Sequence, residues 1–183
     1  MATVTQSPVT LEDLEKIKKA LFFTDDDVLA LRKAHDILVP RVERLLDVWY
    51  GFVGSHDFLL RYFSTDEGPV ERYLAAVRVR FGQWVADTCR AEYDEAWLAK
   101  QEEIGRRHYT DKGKTDGVAG TPPIVHFRYM VPLVYPIYAT VRPFLEEGCD
   151  DPAEVERMHQ AWLKAVVLQA TLWSRPYVRE GAF

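Results

Sequence analysis

Asp94-Glu-Ala-Trp-Leu-Ala-Lys-Gln-Glu-Glu-Ile-Gly-Arg-Arg-His108 places Trp97, Leu98 and Ile104 on helical spacing and ends in a histidine. The helix begins near Asp94, and the polar stretch Asp111-Lys-Gly-Lys-Thr-Asp-Gly117 behind it is the longest loop. His108 follows Ile104 by four residues, so one side chain lies above the other on a single face. A buried imidazole needs a hydrogen-bond partner. Its Nδ1–H can donate to a nearby main-chain carbonyl, that of residue 104 for example, which leaves Nε2 free to bind iron. A histidine near a helix end also serves simply to cap carbonyls and favour the negative helix terminus. From spacing alone the capping role is the better reading.

Outward from this stretch the periodicity is helical almost throughout, with no convincing strand and no internal repeat. A first helix runs from about Leu11 to Leu21 with Thr10 as N-cap, and Thr24 followed by Asp25, Asp26 and Asp27 starts the next. Pro40 suits a first turn, behind which Val42, Leu46, Trp49, Tyr50 and Val53 share one stripe. Gly54, Ser55 and His56 end that helix. Phe58 to Phe63 makes a short aromatic helix, and Thr65 to Pro69 a turn. From Val70 to Cys89, Leu74, Val77, Phe81, Trp84 and Val85 form a second long stripe, with Arg72, Arg78, Arg80 and Arg90 on the polar side. Pro122 and Pro123 start a helix expected to reach about Leu145, kinked at Pro132 and Pro136. Asp151, Pro152 and Glu154 announce a last helix that ends at Ser174 and Pro176. The sum is an all-α chain of about eight helices.

Composition bounds the function. A chain of 183 residues, 48% hydrophobic and 28% charged, fits one domain that buries roughly 70% of its unfolded surface. A net charge of -5 argues against a nucleic-acid partner, because phosphate contacts need clustered Lys and Arg. No apolar run approaches the ~20 residues of a membrane span, and no signal peptide is visible after Met1, so a cytoplasmic location without membrane contact is expected. Cys89 and Cys149 form neither a CxxC knuckle nor a CxxCH haem attachment, and Cys89 is expected to pack on an apolar helix face. Aromatic residues reach 13%, which suits either a ring-rich core or the enclosure of something large and flat.

Other chemistry finds little support. His35, His56, His126 and His159 have no companion at metal-ligand spacing, so zinc is not suggested. Glu102, Glu103 and the Asp25 to Asp27 cluster read as solvated helix faces rather than acid–base pairs. No GxSxG, Walker loop or GxGxxG is present.

Three segments, Asp47-Val-Trp-Tyr-Gly-Phe-Val-Gly-Ser-His56, Tyr73-Leu-Ala-Ala-Val-Arg-Val-Arg-Phe81 and Glu103-Ile-Gly-Arg-Arg-His108, together resemble the protoglobins. The similarity continues through Tyr129-Met-Val-Pro-Leu-Val-Tyr-Pro-Ile137, Gln160-Ala-Trp-Leu-Lys-Ala165 and Trp173-Ser-Arg-Pro-Tyr177, in order along nearly the whole chain. The resemblance implies one globin domain over 1–183, a three-over-three helical sandwich. Residues 1–9 would be a flexible N-terminus and residues 10–22 an extra N-terminal helix. It implies a non-covalent haem b with His108 as the proximal ligand, Tyr50 as distal hydrogen-bond donor, and Trp49, Phe81 and Val77 as distal walls. Phe63, Arg80, Tyr129, Leu133 and Ile137 complete the implied cofactor contacts, one of the arginines at 72, 78 and 80 pairing with a propionate. A homodimer through the last two long helices is also implied.

Two departures stand out. Tyr109 stands where relatives carry a second histidine, which removes an alternative ligand, and Leu133 stands where a pocket phenylalanine is expected. The implied function is binding of O2, CO or NO at a five-coordinate iron, for gas binding, transport or sensing. The rival is a haem enzyme acting on NO, peroxide or peroxynitrite, or an engineered carbene transferase on the same scaffold.

Overall fold

Four of the helices start where a side chain satisfies a free backbone N–H group. The computed structural model describes residues 7–179 and 181–183. Helix α1 (Leu11–Ala20) opens on a capping box in which Thr10 Oγ1 accepts from the Asp13 N–H at 3.1 Å. Helix α2 (Asp25–Leu38) opens with the Thr24 N–H donating to the Asp27 carboxylate at 2.7 Å. Asp27 is not the solvated carboxylate that its neighbours suggest. It is buried, and Lys164 reaches both its oxygens at 2.9 Å, so a cap and an ion pair together offset its desolvation.

A 3-10 turn at Val39–Arg41 leads into α3 (Val42–Gly54), followed by α4 (Asp57–Leu60) and a second 3-10 turn at Arg61–Phe63. Here the chain makes two short strands that sequence periodicity did not show. β1 (Ser64–Thr65) and β2 (Gly68–Pro69) pair antiparallel in the turn before α5 (Glu71–Arg90). Two residues per strand are too few to display an alternating pattern. Helix α6 (Glu95–His108) is capped by Asp94, whose Oδ1 accepts from the Trp97 N–H at 2.7 Å.

The helix expected from Pro122 to Leu145 is instead divided. Helix α7 (Phe127–Met130) ends before Pro132, and α8 (Val134–Gly148) starts after it. Pro132 lacks an N–H to continue the helix, so the regular helix is interrupted there although Val131 keeps helical dihedrals. Pro136 then falls in the first turn of α8, where a missing N–H costs little. Helix α9 (Pro152–Ser174) has Asp151 as its N-cap, and a 3-10 turn at Arg175–Tyr177 follows.

Helices α2, α5 and α6 form one layer and α3, α8 and α9 the other, the layers meeting mainly where α2 and α6 cross α9. This is the three-over-three globin sandwich. Trp162 fills its centre with Leu31, Leu38, Val85, Leu145 and Ala165, and full burial of each large side chain stabilises the fold by roughly 1.5–3 kcal/mol. Cys89 lies wholly inside this core. A smaller cluster of Val9, Leu14, Trp97, Leu98, Leu168 and Leu172 docks α1 on α6 and α9. Of the stretch 1–9 expected to be flexible, residues 1–6 lie outside the described residues, while Val9 is buried in this cluster. No helix among the described residues is long and apolar enough to cross a membrane.

Candidate functional site

Between the two layers, α3, α5, α6, α8 and α9 leave a cavity of about 260 Å3. One buried water needs only roughly 10–15 Å3 of such space, and it needs polar partners. Apolar side chains dominate the wall: Trp49, Val53, Leu59, Phe63, Val77, Phe81, Ile104, Met130, Leu133, Ile137 and Val166 among them. A fold that maintains such a cavity is shaped for an apolar ligand.

His108 lines this cavity as the last residue of α6. Its Nδ1 lies 2.8 Å from the carbonyl oxygen of Ile104. A carbonyl only accepts, so Nδ1 carries the proton and Nε2 presents its lone pair. Nε2 makes no hydrogen bond among the described residues. Burial lowers the imidazole's pKa below the usual histidine range, against the opposing effect of the Ile104 bond, and so favours the neutral, ligating form. Trp173 stacks on the ring at 5.5 Å between centroids and is itself held by Gln101, which accepts its Nε1–H at 2.9 Å. Below the ring, the His108 carbonyl accepts from the Val125 N–H at 2.7 Å and lies 3.0 Å from the Tyr177 hydroxyl. The proximal candidate is therefore fixed from both its ring and its backbone.

Opposite structural elements supply Tyr50 from α3. Its ring lines the cavity, burial pushes its hydroxyl pKa up, and the hydroxyl makes no hydrogen bond among the described residues. Trp49 and Phe81 meet at 5.5 Å, and Phe81 stacks on Trp84 at 5.1 Å. Of the residues singled out from the sequence, Trp49, Tyr50, Phe63, Val77, Arg80, Phe81, His108, Leu133 and Ile137 all line this cavity. Tyr129 does not. Its ring packs against Phe58 at 5.4 Å and Tyr62 at 6.0 Å, while its neighbour Met130 on α7 lines the cavity.

The arginines of α5 do not form a plain solvated face. Arg80 grips the Asp116 carboxylate with two bonds of 2.8 and 2.7 Å, and Arg72 donates to the carbonyls of Asp116 and Gly117. Together they pin the loop after α6 across the cavity mouth. Arg78 lies over the Tyr50 ring at 5.7 Å, bound to Glu43 and Asp47. Glu102, also expected to be solvated, is buried and paired with Arg175, whose Nε donates at 2.7 Å. Wall residues that sequence reasoning did not identify include Tyr62, Ile104, Lys112, Val166, Ala170 and Trp173. Helical periodicity marks Val166 and Trp173 as inward but cannot separate cavity wall from core. Lys112 lies in a polar stretch whose pattern reads as solvent-facing.

Comparison with known proteins gives two positive findings. The protoglobin family matches residues 10–182. The fold is similar to the globin domain of a globin-coupled sensor of Geobacter sulfurreducens, with a TM-score of 0.69 and 18% identity, over 90% of this chain and 97% of that one. No curated protein sequence matches the chain. A family match over almost every residue, on a three-over-three sandwich with a histidine-bearing apolar cavity, is decisive: this chain belongs to the protoglobin family.

Proposed function

We propose that the cavity holds a non-covalent haem b whose iron is ligated by His108 and binds a diatomic gas, O2, CO or NO, on the opposite side. One observation carries this reading. An imidazole oriented by Ile104 and stacked on Trp173 lines an apolar cavity, and its Nε2 has no hydrogen-bond partner among the described residues. Among the described residues no three His, Cys, Asp or Glu side chains gather as a metal site. A lone imidazole therefore suits a metal whose remaining ligands come with a macrocycle. Bound there, the haem supplies an iron able to take up a gas at its sixth position.

The protein's own groups do the rest. The Ile104 carbonyl fixes the imidazole tautomer and raises its basicity. Tyr50 offers a hydroxyl with no other partner to a bound ligand, while Trp49, Val77 and Phe81 exclude water. A homodimer through α8 and α9 completes the proposal, to be checked by sedimentation. Spectra of the ferric, dithionite-reduced and CO-bound protein test the haem itself, beside a His108→Ala variant. A Soret band that shifts on reduction and on CO addition, and is weakened or altered in the variant, is expected. No retained Soret band after haem is added during folding overturns the reading.

A further inference from the structure

We propose that Lys112 is the cation that receives a carboxylate of the haem, so that the propionate edge points toward the loop after α6. This rests on the haem reading above and names a subsite within it.

Lys112 is buried at the cavity wall, with 9% of its surface exposed. An ammonium has three donors. Its Nζ donates to the Tyr62 carbonyl at 2.8 Å and to Thr121 Oγ1 at 3.2 Å, and the third donor has no acceptor among the described residues. The rings of Tyr62 and Tyr73 lie 5.9 and 5.5 Å away. No carboxylate pairs with it among the described residues.

The other charged groups of the wall are already matched. Arg80 holds Asp116 by two bonds, and Arg107 donates to Glu103 at 2.5 Å. Asp111 has Lys114 at 3.2 Å and Arg106 at 3.5 Å. Lys112 is thus the cation of the wall left without a counter-ion among the described residues, and Arg72, Arg78 and Arg80, one of which the resemblance implied as the pairing partner, are all bound elsewhere. Desolvation with no compensating anion lowers the ammonium's pKa to about 8. A buried, unpaired charge is costly unless an opposite charge joins it. A carboxylate carried on an otherwise apolar plate supplies that charge only when the cofactor is bound.

The test compares haem with its dimethyl ester, in which both carboxylates are uncharged, by following transfer from the holoprotein to an apoglobin acceptor. The wild-type protein is expected to release the ester about tenfold faster than haem, the loss of one charge-assisted contact. Lys112→Met should release the two at the same rate, and Lys112→Arg should keep most of the preference. Equal release from the wild-type protein overturns the assignment while leaving the haem reading intact, and this comparison needs no variant to fold. A preference that survives in Lys112→Met overturns it too. Failure of the wild-type protein to retain either compound overturns the haem reading and this inference with it.

Discussion

The indole of Trp173 lies nearly parallel to the imidazole of His108, their planes 14° apart, and Gln101 holds the indole from the other side. Helix α9 thereby sets the ring on α6. Trp173→Phe keeps an aromatic surface but leaves the buried Gln101 Oε1 without its donor. A loss of about 1–3 kcal/mol in unfolding free energy is expected, measured by urea titration.

Gly105 faces the same helix. A Cβ there would stand 3.1 Å from Trp173 Cα and 3.3 Å from its carbonyl oxygen, both backbone atoms with little freedom to yield. Gly105→Ala gains about 0.5–1 kcal/mol of helix propensity. Overpacking typically costs about 1–3 kcal/mol. Net destabilisation with a lowered melting temperature is expected, and a variant more stable than wild type would show that α6 and α9 are not in contact here.

His159 joins α8 to α9, stacked on Tyr138 at 3.8 Å with Nε2 2.9 Å from the Tyr138 carbonyl. Burial lowers its pKa below 6.5, the Tyr138 bond opposes this, Arg142 reinforces it, and Glu156 and Glu146 oppose it. The unfolded chain therefore takes up a proton more readily than the folded one. Stability is full above the unfolded pKa and is lost as pH falls below about 6.5. Urea midpoints at about pH 7.5 and about pH 5.5 should differ less in His159→Gln than in wild type; an equal difference would remove His159 from the account.

Asp116 ties the loop after α6 to Arg80. Asp116→Asn weakens this bidentate pair and should cost about 1 kcal/mol. Trypsin should then cut more quickly after Lys114, which is exposed on the same loop. Unchanged cleavage would mean that Arg72 alone restrains the segment.

Tyr50 carries a hydroxyl with no partner at the cavity wall. If it donates to bound O2, Tyr50→Phe should speed O2 dissociation about tenfold, while CO release, less dependent on a donor, changes less. Flash photolysis of both complexes distinguishes this from a general change in pocket size.

Much of the candidate site was legible because its residues sit on long, regular helices. His108 and Ile104 are four apart on α6, so their hydrogen bond follows from helix geometry. The stripes of α3 and α5 carry Trp49, Tyr50, Val77 and Phe81 to one wall by the same periodicity. Tyr129 lies outside the cavity wall, on the short α7 that precedes the interruption at Pro132, which local pattern reads as one longer, kinked helix.

The amino-acid sequence by itself determined the all-helical class, the caps at Thr10 and Asp151 and the helix start near Asp94, since each depends on contacts within a few residues. Only tertiary structure decided the fate of the charges. Asp27 meets Lys164, Glu102 meets Arg175, Arg80 meets Asp116, and Lys112 meets no carboxylate among the described residues. Whether a polar side chain is solvated, neutralised or left waiting depends on groups tens of residues away, and periodicity carries no information about them.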